Sequence, residues 1–114
     1  MSDCLFCAIV AGDIPATVVH DSARVLAFRD ISPQAPVHVV VIPKEHHADV
    51  AALAAADPGL AGELLAAAAQ VAIAEGLAQG GYRVVLNTGA DGGQSVFHVH
   101  AHVLGGRALA WPPG

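Results

Sequence analysis

Charge is scarce in this chain: Asp, Glu, Lys and Arg make up 13% of its 114 residues, five basic against ten acidic. The formal net charge of −5 with histidine neutral repels a phosphate backbone at long range and argues against coating nucleic acid. A small phosphorylated ligand, held by local donors, remains open. Long apolar runs are also missing. The stretch from Leu64 to Ala74 is interrupted by Gln70 and bounded by Glu63 and Glu75, well short of the roughly 20 residues that span a membrane. No Lys or Arg precedes Arg24, and Asp3 stands where an export signal would carry positive charge, so an untargeted, soluble, cytoplasmic protein is expected. Two cysteines, Cys4 and Cys7, without such a signal argue against a disulfide scaffold. No internal repeat is visible, and the length allows one domain over residues 1–114. What is plentiful is apolar surface. At 54% hydrophobic residues the chain is no disordered segment, and a monomer of this size hides that much only with difficulty, so a subunit interface is expected.

The alanine-rich stretch from Ala51 to Ala78 favours helix. Asp57-Pro58 marks a helix start, Asp as N-cap and Pro at the first helical position, with Leu60, Leu64, Ala68, Val71 and Ala78 on one stripe and Gly80-Gly81 as the stop. Val25 to Asp30 alternates as a strand, and Val37 to Ile42 is the near-continuous apolar run of a central strand, ended by Pro43. Tyr82 to Thr88 and Phe97 to Leu104, joined by the turn-rich GADGGQS at 89–95, read as an antiparallel pair. The tail from 105 to 114 is too rich in Pro and Gly to continue a sheet and is expected to wrap over a surface, where Trp111 needs a packing partner.

His98, His100 and His102 alternate with Val99, Ala101 and Val103, which places all three imidazoles on one face of a strand. Three solvated histidines would be the bland reading, but this alternation in a chain with seven histidines argues against accident. A single three-histidine metal centre fails on reach: at a rise of about 3.3 Å per residue the outer two lie roughly 13 Å apart, too far for one ion with Zn–N bonds of about 2.0 Å. Nucleophilic catalysis remains. A neutral imidazole is a competent nucleophile toward activated phosphorus when one ring nitrogen is free and the other is fixed by an acceptor. The loop just upstream carries backbone N–H groups, Gly93 among them, with the Gln94 amide and the Ser95 hydroxyl, and reads as a phosphate cradle beside aligned histidines.

HVHAHVL at 98–104 resembles the His-x-His-x-His pattern of the histidine-triad family. GDIP at 12–15, LAFRDISPQAP at 26–36, VIPK at 41–44, DGGQSVFHVHAHVLGGR at 91–107 and WPPG at 111–114 are similar to its Hint branch, the nucleoside phosphoramidases. The resemblance implies an α+β fold: an antiparallel sheet of about five strands with one long helix and a short one. It also implies a homodimer whose sheet continues across the interface, with the tail at the dimer and active-site edge. The implied reaction is hydrolysis of the P–N bond of purine nucleoside 5′-phosphoramidates, releasing the monophosphate. His100 would attack the α-phosphorus, with His98, His102, His38 and Ser95 in supporting catalytic roles. Asn87, Gly93, Gln94, Ser95, His100 and His102 would contact the phosphate. Phe28 and Asp30 share one face of their strand and would serve base and ribose. Phe6, Ile9 and Ile31 would complete the base pocket, and Trp111 of the matching tail would also bind substrate. Arg29 stands where the Hint branch often has histidine. Hydrolysis of dinucleoside polyphosphates is the enzymatic rival, in a sister branch that lacks WPPG. A nucleotide-binding regulatory module with incidental catalysis is the rival from another class.

Cys4-x-x-Cys7 alone is a modest signal. A redox pair would want a preceding strand, which position 4 does not offer. Zinc would need two further ligands, for which His46 and His98 are candidates, and triad proteins with this CxxC and PKxH pattern resemble zinc-stapled forms. A structural zinc on Cys4, Cys7, His46 and His98 is therefore expected ahead of two free thiols or a disulfide, with no cofactor needed for catalysis. His20 and His47 are taken as solvated.

Overall fold

A computed structural model describes residues 3–114. The fold is α+β. The elements in order are α1 (Leu5–Ala11), β1 (Val18–Asp21), β2 (Val25–Arg29), β3 (Val37–Pro43), α2 (Val50–Ala56), α3 (Pro58–Ala74), β4 (Tyr82–Val85) and β5 (Ala101–Gly105). The five strands form one sheet in the order β1-β2-β3-β5-β4, every neighbouring pair antiparallel. The run VHVVVIP occupies the centre, as a strand buried on both faces should. The β4–β5 pair is also as expected, although β5 is inserted between β4 and β3.

Strand alternation divides the core in two. Odd-numbered positions Val25, Ala27, Val39, Val41, Ala101 and Val103 face the helices and pack against Leu53, Leu60, Leu64 and Val71. Even-numbered positions Leu26, Phe28, Val40 and Ile42 face the other way and pack against Phe6 of α1. The register sets Phe28 beside Val40, and Val40 beside His102, so an apolar floor runs directly into the histidines.

Helix ends follow local chemistry. The Asp49 carboxylate accepts from Ala52 N at 2.9 Å to start α2. Asp57 closes α2 through its own N–H to Leu53 O and starts α3 by accepting from Leu60 N at 3.0 Å. The alanine-rich stretch is thus two helices, so the fold has three helices rather than one long and one short. The long helix also stops early. Gly76 takes φ +79°, a left-handed conformation that ends the helix at Ala74 instead of at Gly80-Gly81. Leu77 then tucks back into the core, while Ala78 leaves the stripe and is exposed. Two strand limits differ in the same sense: β4 ends at Val85 rather than Thr88, and β5 begins at Ala101 rather than Phe97. The segment carrying His98 and His100 therefore precedes the ladder.

No helix among the described residues is long and apolar enough to cross a membrane.

Candidate active site and metal centre

Cys4 caps α1, its sulfur accepting from Cys7 N at 3.3 Å, so the two thiols project from one helical turn. His46 from the loop after β3 and His98 from the segment before β5 meet them. One ligand atom from each of Cys4, Cys7, His46 and His98 lies within 4.8 Å of all the others. His98 is fully buried, and its Nε2 donates to Pro43 O at 2.8 Å, which leaves Nδ1 bare and turned toward the sulfurs of Cys4 (3.4 Å) and Cys7 (3.5 Å). Burial pushes the His98 imidazole below its ordinary value. Two sulfurs and two imidazoles, one with its second nitrogen fixed by a carbonyl, form a donor set that suits tetrahedral zinc.

A second histidine chain runs along the neighbouring strands. Gln34 N donates to His38 Nδ1 at 3.0 Å, so the neutral His38 ring carries its hydrogen on Nε2. That Nε2 lies 2.8 Å from His102 Nδ1 and 3.5 Å from the Asp30 carboxylate. Donation from His38 makes His102 Nδ1 an acceptor and places the His102 hydrogen on Nε2. Burial, joined by the neighbouring His100 and His38, pushes His102 down to about 4. Burial also lowers His38, with Asp30 opposing. Both rings are neutral at pH 7. The atoms of Asp30, His38 and His102 are close enough to invite comparison with a metal site. The N–H of Gln34 holds His38 in the tautomer whose Nε2 has no lone pair to give, so the arrangement is a proton-ordered chain.

His100 lies between these clusters. Its Nδ1 donates to His98 O at 2.7 Å, which leaves Nε2 as an accessible lone pair without a described protein partner. The ring stands edge-on to Phe6 at 5.0 Å and to His102 at 4.9 Å between centroids.

His100 and His102 open into a cleft of about 240 Å³ lined by Phe6, Ile9, Phe28, Asp30, Ile31 and Ser95 among the expected residues. Ile31 is fully exposed and forms a lip rather than a wall. Asp30 also accepts from Ser32 N at 2.8 Å, so it is both a turn residue and a cleft carboxylate. His38 and His98 stand behind the reacting face. Asn87, Gly93, Gln94 and Trp111 do not line the cleft. The Gln94 amide is turned inward: it donates to Ala48 O (2.7 Å) and Val96 O (3.1 Å) and accepts from Gly89 N (2.9 Å), so it braces the loop. Trp111 is 82% exposed, and the tail is held by Arg83 donating to Ala110 O and Arg107 donating to Gln34 O. Arg29 points to the helix face, where both guanidinium nitrogens meet the Glu75 carboxylate.

The structure also corrects and adds to the residue set. His47 is not solvated: its side chain is 12% exposed and bonded to Glu45, and its carbonyl accepts from Val99 N at 2.7 Å. His20 is half-buried. Leu5, Ile14, Pro15, Ala16, Arg29, Val40 and Val96 complete the cleft. Ile14 and Pro15 lie within the GDIP motif, which was a usable signal. Val40 is distinguishable from its strand neighbours only once the sheet's faces are assigned.

Residues 11–109 match the family model described as "HIT domain". A crystal structure of a HIT family hydrolase from Legionella pneumophila is similar at a TM-score of 0.94 and 51% identity, covering 98% of this chain and 100% of that one. A 14 kDa zinc-binding protein of Zea mays is 49% identical over 99% of this chain and 89% of its own length. A histidine triad nucleotide-binding protein from Candida albicans is similar at a TM-score of 0.84 and 30% identity, covering 96% of this chain and 83% of that one.

Proposed function

Because the chain belongs to the HIT domain family, we propose that it is a nucleotide hydrolase of the Hint branch that cleaves the P–N bond of purine nucleoside 5′-phosphoramidates. The observation that carries this reading is the ordering of ring protons. His100 gives its Nδ1 hydrogen to a carbonyl and keeps a free Nε2 lone pair, while the chain Gln34–His38–His102 delivers an N–H at His102 Nε2 beside it. A nucleophile and a donor on neighbouring positions of one segment are what phosphoryl transfer through histidine requires.

In the first step His100 Nε2 attacks the α-phosphorus and the P–N bond to the amine breaks. The departing amine takes a proton from the side where Ser95 and His102 stand. In the second step water adds to phosphorus, the P–Nε2 bond breaks, and the proton lost by water restores the donor. The monophosphate leaves and His100 is regenerated. Phe6, Ile9, Phe28 and Ile31 offer the apolar surface for the base, and Asp30 accepts from ribose hydroxyls.

The Cys4, Cys7, His46 and His98 donors fit a zinc ion, which would supply a cross-link between segments and no reacting group. The Zea mays relative's description as zinc-binding supports this. A homodimer accords with the open outer edge of β4 and with exposed Leu65, Ile73, Tyr82 and Trp111.

The test is mass spectrometry after an acid-free quench with adenosine 5′-phosphoramidate. A nucleotidyl adduct on wild type that maps to His100, absent from His100→Ala of intact fold, is the expected result. No adduct and no released AMP would end this reading in favour of a binding module.

A further inference from the structure

We propose that the Cys4–Cys7–His46–His98 centre positions the nucleophile His100 and the wall of the nucleoside cleft, with His98 and Phe6 as the positioning residues that carry the effect. This rests on the hydrolase reading above. The His98–His100 segment lies ahead of β5, so ladder bonds do not hold it. Its support is lateral: Val99 N donates to His47 O at 2.7 Å, and the His98 ring is fixed through Nε2 to Pro43 O. The other end of that ring lies in the cluster, 3.2 Å from His46 Nδ1 and within 3.5 Å of both sulfurs. The His98 carbonyl then takes the His100 Nδ1 hydrogen, so the nucleophile's tautomer depends on the backbone of a cluster residue.

The cleft wall depends on the same point. The seven-residue α1 is too short to persist alone. Phe6, between the two cysteines, is buried and packs edge-on against His98 (5.9 Å), His100 (5.0 Å) and Phe28 (5.5 Å). Leu5 and Ile9 of the same helix line the cleft. The third segment, 46–48, offers His46 to the cluster and Ala48 O to the Gln94 amide that braces the loop before Ser95. Three segments outside the sheet thus converge on four ligand atoms. One ion bonded to all four atoms would fix the three segments at a single point with bonds stronger than the thiol–imidazole contacts there.

The experiment compares zinc-loaded, chelator-stripped and zinc-restored protein. It measures metal content, AMP affinity by calorimetry and the His100 tautomer by ¹⁵N NMR. Stripping is expected to raise the AMP Kd roughly tenfold to a hundredfold and to mix the single Nδ1–H tautomer, with zinc restoring both. If stripping unfolds the protein, Cys7→Ser, which keeps an oxygen ligand, is expected to show the same changes in milder form. Leu64→Ala controls for destabilisation in general and is expected to lower Tm with Kd and tautomer unchanged. A stripped or Cys7→Ser protein with wild-type Kd and tautomer, or a wild type that binds no stoichiometric zinc, overturns the proposal. If Kd and tautomer follow zinc but the loaded enzyme cleaves no phosphoramidate, the coupling stands and the hydrolase reading falls.

Discussion

Burial of His102 makes folding stability depend on pH. Burial, with His100 and His38 adding, pushes its ring down to about 4. In the unfolded chain the ring returns to about 6.5. Between these values the unfolded state binds a proton that the folded state refuses, so folding stability rises with pH there. The contribution is fully present above about 6.5, is lost as pH falls through that value, and levels off below about 4. One such group changes stability by up to about 1.4 kcal/mol per pH unit inside the window. Going from pH 8 to pH 5 would cost about 2 kcal/mol for a wholly buried ring, and about 1–2 kcal/mol for His102, which keeps some contact with water. His102→Gln removes the titration while its amide oxygen can still accept from His38. Denaturant midpoints for both proteins at pH 8, 6.5 and 5 isolate the term by difference. Wild type is expected to lose about 1–2 kcal/mol more than the variant on acidification. Parallel pH profiles would refute the assignment of a depressed, neutral His102.

Two further outcomes follow from packing. A Cβ on Gly92 would fall onto the Thr88 carbonyl oxygen and lie 3.0 Å from the Thr88 nitrogen, both backbone atoms. Gly92→Ala is therefore expected to open the loop, free the Gln94 amide and lower kcat, with little change in the far-UV circular dichroism. Wild-type kcat would show that the loop's shape does not matter to turnover. Leu64 is 1% exposed between α3 and the sheet. Leu64→Ala is expected to cost about 3 kcal/mol in urea unfolding, and a loss under about 1 kcal/mol would mean that the helix face of the core collapses around the cavity.

The site is assembled from both kinds of information. His100 and His102 come from one short segment, so their common face was legible from alternation alone. The partner that orders His102 is His38, 64 positions away along the chain, and only the β3–β5 pairing makes them neighbours. Gln94 shows the opposite case. Its place in a Gly-rich loop beside the histidines suggested a phosphate contact, yet a buried amide must satisfy its own donors and acceptor, and Ala48, Val96 and Gly89 do so. Sequence proximity indicates the loop but not which way a side chain turns within it.

What the amino-acid sequence determined by itself is local: the VHVVVIP strand, the Asp57-Pro58 helix start and the histidine alternation, each set by propensity, capping or period within a few residues. The cysteine spacing was legible too, but among seven histidines it was the resemblance to zinc-stapled triad proteins that pointed to His46 and His98. Only the tertiary structure decided where the elements end. Gly76 rather than Gly80-Gly81 stops α3, because Leu77 gains more by turning into the core than by extending the helix. The His98–His100 segment stays off the ladder because its ring, N–H and carbonyl are claimed by Pro43, His47 and His100 instead of by a neighbouring strand. Those competitions are settled by partners far apart in the chain, and no local pattern encodes their outcome.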